Sequence, residues 1–147
     1  MILIDDSAIY FEIPARDSLG RDAVTGKLRG TQEKVYFHWR LKDRTFRKLE
    51  GDMKTVEMNY EDVESVRYRT TIGFLNPRLI FQVADPHLLE EVPGVAVGRA
   101  VLLLEKRSRQ DAKKFIKLVE FKKVEAEAAR LDARLTEVGK SGSEPST

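Results

Sequence analysis

The hydrophobic period changes once along this chain, close to residue 106, and that change limits the folds open to it. Before it, apolar and polar residues alternate. In Val35-Tyr36-Phe37-His38-Trp39-Arg40-Leu41 one face carries Val35, Phe37, Trp39 and Leu41, and the other Tyr36, His38 and Arg40. That is the pattern of a half-buried strand. Ile9–Ile13, Val56–Tyr60, Glu64–Thr70 and Leu79–Val83 alternate in the same way, with Val66 and Tyr68 on one side of their segment and Arg67 and Arg69 on the other. Thr45–Leu49 reads as a weaker strand, joined to Val35–Leu41 by a Lys42-Asp43-Arg44 turn. Ala100–Leu104 is apolar throughout, which predicts a strand covered on both faces. Pro14 to Gly26, Gly51-Asp52, Gly73 to Pro77 and Asp85 to Gly98 read as turns and loops. Seven or eight short strands at this spacing predict an antiparallel sandwich or barrel.

After residue 106 the period is helical. Ser108-Arg109-Gln110-Asp111 has the spacing of a capping box. Ala112, Phe115, Ile116, Val119 and Val124 follow, and Ala128, Leu131, Leu135 and Val138 continue the stripe until Gly139. Thirty helical residues would span about 45 Å, more than a small barrel is wide. The first half is therefore expected to pack on the sheet and the second, from about Glu125, to project. The expected organisation is an N-terminal strand and loop over 1–24, a β-sandwich with its capping helix over 25–122, a helix extension over 123–138 and a disordered tail over 139–147.

Composition narrows the function. Among 147 residues there are 26 Lys and Arg, 24 Asp and Glu, two His and no Cys. Disulfide frameworks, thiolate metal sites and thiol nucleophiles are excluded. The opening MILIDDSAIYF lacks the basic, long-apolar pattern of a signal peptide, and no run approaches the ~18 apolar residues of a membrane span, so a soluble cytoplasmic protein is expected. His38 and His87 stand 49 positions apart, unlike the short ligand spacings of metal motifs. The G-x-S-x-G elbow, the Walker loop and the dinucleotide glycine fingerprint are absent. The acid clusters Asp5-Asp6, Glu61-Asp62-Glu64 and Glu90-Glu91 read as solvated turns and strand ends rather than paired catalytic carboxylates. No enzyme activity, cofactor or metal is expected.

Seven or so antiparallel strands followed by one amphipathic helix resemble the pleckstrin-homology-like superfold, in its bacterial and GRAM-like forms. Gly26-Lys27-Leu28-Arg29-Gly30-Thr31 leading into Val35–Leu41 is similar to the family's opening strand pair. Val56-x-Met58-x-Tyr60-Glu61-Asp62-Val63-x-x-Val66 is similar to its apolar strand followed by D-[IV]-x-x-[IV]. Leu102-Leu103-Leu104 and then Lys106 to Phe115 resemble its last-strand-to-helix junction, with Phe115 or Phe121 in place of the family's helix tryptophan. The resemblance covers residues 25–122, with Ile9–Ile13 as an extra strand. It implies a mainly β fold: an antiparallel bent sandwich or partly open barrel of about seven strands, capped by one long C-terminal helix. It also implies a binding or scaffold module recognising a peptide, a partner subunit or an anionic lipid headgroup.

Charge distribution and the helix locate two candidate surfaces. Lys27 to Lys54 holds nine basic and four acidic residues, and residues 106–147 hold 11 and seven. Lys27, Arg29, Arg40, Lys42 and Arg44 are the candidate cations for an anionic headgroup, against a reading in which Glu33, Asp43, Glu50 and Asp52 pair with the basic residues of this segment across strands. The basic run from Lys106 to Lys117 reads as the outer face of a packed helix, and no nucleic acid is expected. Val124, Ala128, Leu131, Leu135 and Val138, at alternating three- and four-residue steps, are the candidate partner-binding stripe for a second copy or another protein. Protein–protein interaction or self-association is the first expectation. Peripheral attachment to an anionic membrane surface is the alternative.

Overall fold

A computed structural model describes residues 8–14, 23–43, 48–70 and 77–142, without the side chains of 43, 48–51 and 137–142. Seven strands form one antiparallel sheet: β1 (Ile9–Ile13), β2 (Ala23–Gly30), β3 (Lys34–Asp43), β4 (Lys48–Asn59), β5 (Val63–Arg69), β6 (Arg78–Val83) and β7 (Arg99–Leu104). Their order is β4-β3-β2-β1-β7-β6-β5, and one helix, α1 (Arg109–Gly142), follows. The sheet is open, with β4 and β5 at its two edges. The expected mainly β architecture with a single C-terminal helix is what the chain adopts.

Alternation explains why the sheet folds over itself. Inward residues Ile9, Phe11, Ile13, Leu28, Val35, Phe37, Leu79, Phe81, Val83, Ala100 and Leu102 are all buried. Four strand steps separate β3 from β6, which is about 19 Å in a flat sheet. The Phe37 and Phe81 rings nevertheless lie 6.1 Å apart. The two halves of the sheet therefore face each other across one core. A run of rings crosses it, from Phe11 to Phe37 at 5.1 Å, on to Phe81, and then to Phe115 of α1 at 6.5 Å. The chain passes between the halves through a 3₁₀ turn at Tyr60–Asp62. Asp62 Oδ2 accepts from the Asn59 N–H at 2.9 Å, and the Asp62 carbonyl accepts from Ala84 N–H at 2.8 Å.

Several expectations are corrected. Ile9–Ile13 is not an accessory strand but the centre of the sheet, paired to both β2 and β7, so the opening pair is β1–β2 rather than β2–β3. The expected Pro14–Gly26 loop ends earlier, because β2 begins at Ala23. Of the expected Thr45–Leu49 strand, Lys48 and Leu49 open β4, and the expected Gly51-Asp52 turn is corrected, because Lys48 to Asn59 is one twelve-residue strand. The pairing shifts there from Trp39↔Lys54 to Leu41↔Glu50, so Gly51 and Asp52 fall in a bulge, where a strand glycine is commonly found. Lys42 belongs to β3 rather than a turn, and residues 44–47 lie outside the described residues. In β7, Ala100, Leu102 and Leu104 are buried but Val101 and Leu103 only half-buried, so one face of this apolar strand stays partly open.

The helix start also differs. Ser108 is buried, and its hydroxyl accepts from the Tyr10 N–H at 2.9 Å. It ties α1 to the central strand instead of forming a capping box. The helix runs past Gly139 to Gly142, a length of ~51 Å, and residues 143–147 lie outside the description.

Before β7, Val97 and Gly98 form a two-residue turn between Ala96 and Arg99, which exchange backbone hydrogen bonds of 3.2 and 3.0 Å. Both central residues have positive φ, 50° and 73°, as a type I′ turn requires. A β-branched residue is strained there, and Val97 is 81% exposed, so it loses no packing when replaced. Val97→Asn is expected to stabilise the fold by about 1 kcal/mol, read as a rise of a few degrees in thermal unfolding.

Candidate functional site

Cross-strand pairing brings four of the five candidate cations onto one face. Lys27 lies opposite His38, Arg29 opposite Tyr36, Thr25 opposite Arg40 and Ala23 opposite Lys42. This outer face backs onto buried Leu28, Val35, Phe37 and Trp39. Arg44 lies outside the described residues.

These cations are largely engaged. Lys42 Nζ meets Glu12 Oε1 of β1 at 2.8 Å. The Arg29 guanidinium lies 4.8 Å from the Tyr36 ring centre, and Tyr36 stacks on His38 at 6.1 Å with 6° between planes. Lys34 pairs with Glu57 at 2.7 Å. Among the described side chains, the acids in the cross-strand ion pairs of this segment are Glu12 and Glu57; the side chains of the expected Asp43 and Glu50 lie outside the description. The Lys42–Glu12 pair is only about one-third exposed and contributes on the order of 1 kcal/mol at most. Its larger consequence is electrostatic: a carboxylate inside the patch disfavours a phosphate.

The histidines separate clearly. His38 Nδ1 lies 2.8 Å from Thr55 Oγ1, and its Nε2 is buried with no hydrogen-bond partner among the described residues. Burial, then the charges of Lys27 and Arg29, hold its pKa below 6.5. His87 lies in the 3₁₀ turn Pro86–Leu89, with Nδ1 2.9 Å from Glu90 Oε2. That hydrogen bond and the charges of Glu90 and Asp85 raise its pKa above 6.5. Lowered in the fold, His38 contributes stability above pH 6.5 that is lost as pH falls below it. Raised, His87 contributes stability below pH 6.5 that is lost as pH climbs through its folded value. An NMR titration of the two imidazoles is expected to place their midpoints on opposite sides of 6.5. Among the described residues, no group of three or more His, Asp or Glu is placed to hold a metal ion.

Tyr60 anchors the other end of this half. Burial pushes its phenol up to about 12, and its hydroxyl donates to the Thr31 carbonyl. Beside it, Gly30 lets the strand approach Phe115 and Leu118 of α1.

The helix carries two stripes rather than one. Ala112, Phe115 and Val119 are buried against the sheet. Lys123 Nζ donates to the Val63 and Glu64 carbonyls at 2.8 and 2.6 Å, covering the start of edge strand β5, and Arg130 meets Glu61 at 3.3 Å. At about 100° per residue these positions cluster on one side of α1. Val124, Ala128, Leu131 and Leu135 lie on the opposite side, so the expected continuous stripe is corrected. Phe121, which the resemblance offered beside Phe115 in place of the family's helix tryptophan, belongs to this outward set. Phe121, Val124, Leu131 and Leu135 are 51%, 68%, 50% and 69% exposed. Steps of three and four residues join them through Ala128, the spacing of a helix-pairing seam. Val138 continues the spacing, its side chain outside the description. Among the described residues no helix is long and apolar enough to cross a membrane.

Comparison with known proteins finds no matching family model, curated sequence or solved structure.

Proposed function

We propose that the chain is a non-catalytic, cytoplasmic binding module of pleckstrin-homology-like form that works by protein–protein association, chiefly self-association, through the outward seam of α1. The strand order β4-β3-β2-β1-β7-β6-β5 with a helix after the last strand supports the form. The observation carrying the function is the seam itself: Phe121, Val124, Leu131 and Leu135 are half or more exposed on the side of α1 turned from its own domain. Large apolar groups aligned on one face mark an interaction surface. Anionic-headgroup binding on β2–β3 is the weaker reading, because Lys42 is already matched by Glu12.

The test is light scattering of the full chain against a Leu131→Glu/Leu135→Glu variant, both checked for folding by thermal unfolding. The wild type is expected to exceed the monomer mass at tens of micromolar and the variant to run as a monomer. Equal masses for the two, at any assembly state, would remove the seam from the account.

A further inference from the structure

The outer face of β5–β7 carries a second unpartnered surface, and its chemistry is the reverse of the seam's. Register fixes which residues share this face. Arg69 lies opposite Arg78, which lies opposite Leu103. Arg67, Ile80 and Val101 form the next row, and Ser65, Gln82 and Arg99 the third. The intervening Val66, Tyr68, Leu79, Phe81, Ala100 and Leu102 pack in the core, so these rows point outward. From Ser65 on, the face has four arginines and no acid, around half-buried Ile80, Val101 and Leu103. Among the described residues, none of Arg67, Arg69, Arg78 and Arg99 makes an ion pair, unlike the Lys42 and Lys34 pairs on the other half. Arg69 and Arg78 stand directly opposite each other, a like-charge pairing that destabilises a sheet unless an anion relieves it.

On α1 the seam has the complementary rim. Glu120, Glu125, Glu127 and Asp132 flank Phe121, Val124, Ala128 and Leu131, with Arg134 the one basic residue at the flanking positions over this stretch. A parallel seam-to-seam pair would set Glu120 against Glu125 of the second copy and Glu127 against Asp132, which repels. The dimensions agree as well. Three strands span about 10 Å across and six residues about 20 Å along. A helix is about 10–12 Å wide, and Glu120 to Leu135 is about 24 Å long.

We infer that the projecting half of α1 in one copy docks on the β5–β7 outer face of a second copy, with Glu120, Glu125, Glu127 and Asp132 meeting Arg67, Arg69, Arg78 and Arg99 around an apolar centre. The inference rests on the proposed association through α1 and names its counterpart surface. The contact is heterologous: each copy offers one helix and one sheet face, which closes as a reciprocal pair or continues as a chain.

Charge reversal tests it in the full-length protein, with unfolding curves confirming that each variant folds. A patch variant carries Arg67→Glu, Arg69→Glu and Arg78→Glu; a helix variant carries Glu120→Arg, Glu125→Arg and Glu127→Arg. Each alone is expected to weaken association at least tenfold by sedimentation equilibrium. An equimolar mixture is expected to recover it, since both contacts regain opposite charges. Wild-type association should also weaken as salt rises. A patch variant that associates like the wild type overturns the docking surface while leaving the α1 reading intact. A wild type that stays monomeric throughout overturns both.

Discussion

Phe37→Ala is expected to lower the unfolding free energy by about 3–5 kcal/mol, a large part of the ~5–15 kcal/mol available to a domain. Phe37 is completely buried on β3, and its ring meets Phe11 of β1 at 5.1 Å and Phe81 of β6 at 6.1 Å. It therefore joins the two halves of the folded-over sheet as well as filling volume. Truncation removes a ring's worth of burial and leaves a cavity whose walls belong to strands far apart in the sheet order. Those walls cannot close without moving one half against the other, which places the expected loss toward the upper end. Urea unfolding measures it. A loss under about 2 kcal/mol would mean that the halves meet less closely than the ring distances indicate.

The second large effect is Gly26→Ala, a change of one methyl group. An added Cβ would lie 2.1 Å from the His38 carbonyl oxygen and 2.8 Å from Phe11 Cζ. The first neighbour is backbone of the paired strand β3, which cannot rotate away; the second is a buried ring of β1. Gly26 pairs with Phe11 on one side and Trp39 on the other, so β2 is held closely between two strands at this point. Separating them breaks ladder hydrogen bonds in both directions. The expected loss is at or above the upper end of the ~1–3 kcal/mol usual for overpacking. Equilibrium unfolding of the variant checks this, and a loss below about 1 kcal/mol would show that β2 and β3 part easily.

Much of the fold was legible in the sequence because alternation reports directly on burial. Val35, Phe37 and Trp39, or Leu79, Phe81 and Val83, could occupy one face only if the segment were a strand. Strand limits were less legible. Gly51-Asp52 reads as a turn in isolation, and only its pairing with β3 makes it a bulge. The central place of Ile9–Ile13 depends on contacts with Leu103 and Leu104, about ninety residues away, which no local pattern carries.

The surfaces followed the same division. That Arg40 and Lys42 share a face was readable from alternation, since the parity of β3 sets it, whereas Lys27 and Arg29 join them through the β2–β3 register. That Lys42 meets Glu12 was not, because the partner comes from β1. In the helix, Phe121 spaces with Val124 and Ala128 rather than with Phe115. Only the burial of Phe115 and Val119 shows which side the sheet takes. Arg67 and Arg69 were separated from Val66 and Tyr68 by alternation, but their rows with Arg78 and Arg99 required the register.

The most direct test of association through α1 is an amide NMR spectrum of the full chain recorded at low and high concentration. The account predicts that resonances of Phe121 to Leu135 shift or broaden with concentration, together with those of Arg67 to Arg69, Arg78 to Ile80 and Arg99 to Leu103. Changes on α1 alone would keep the seam and discard its proposed counterpart. Spectra that superimpose, or change only around Lys27 to Lys42, would contradict the account.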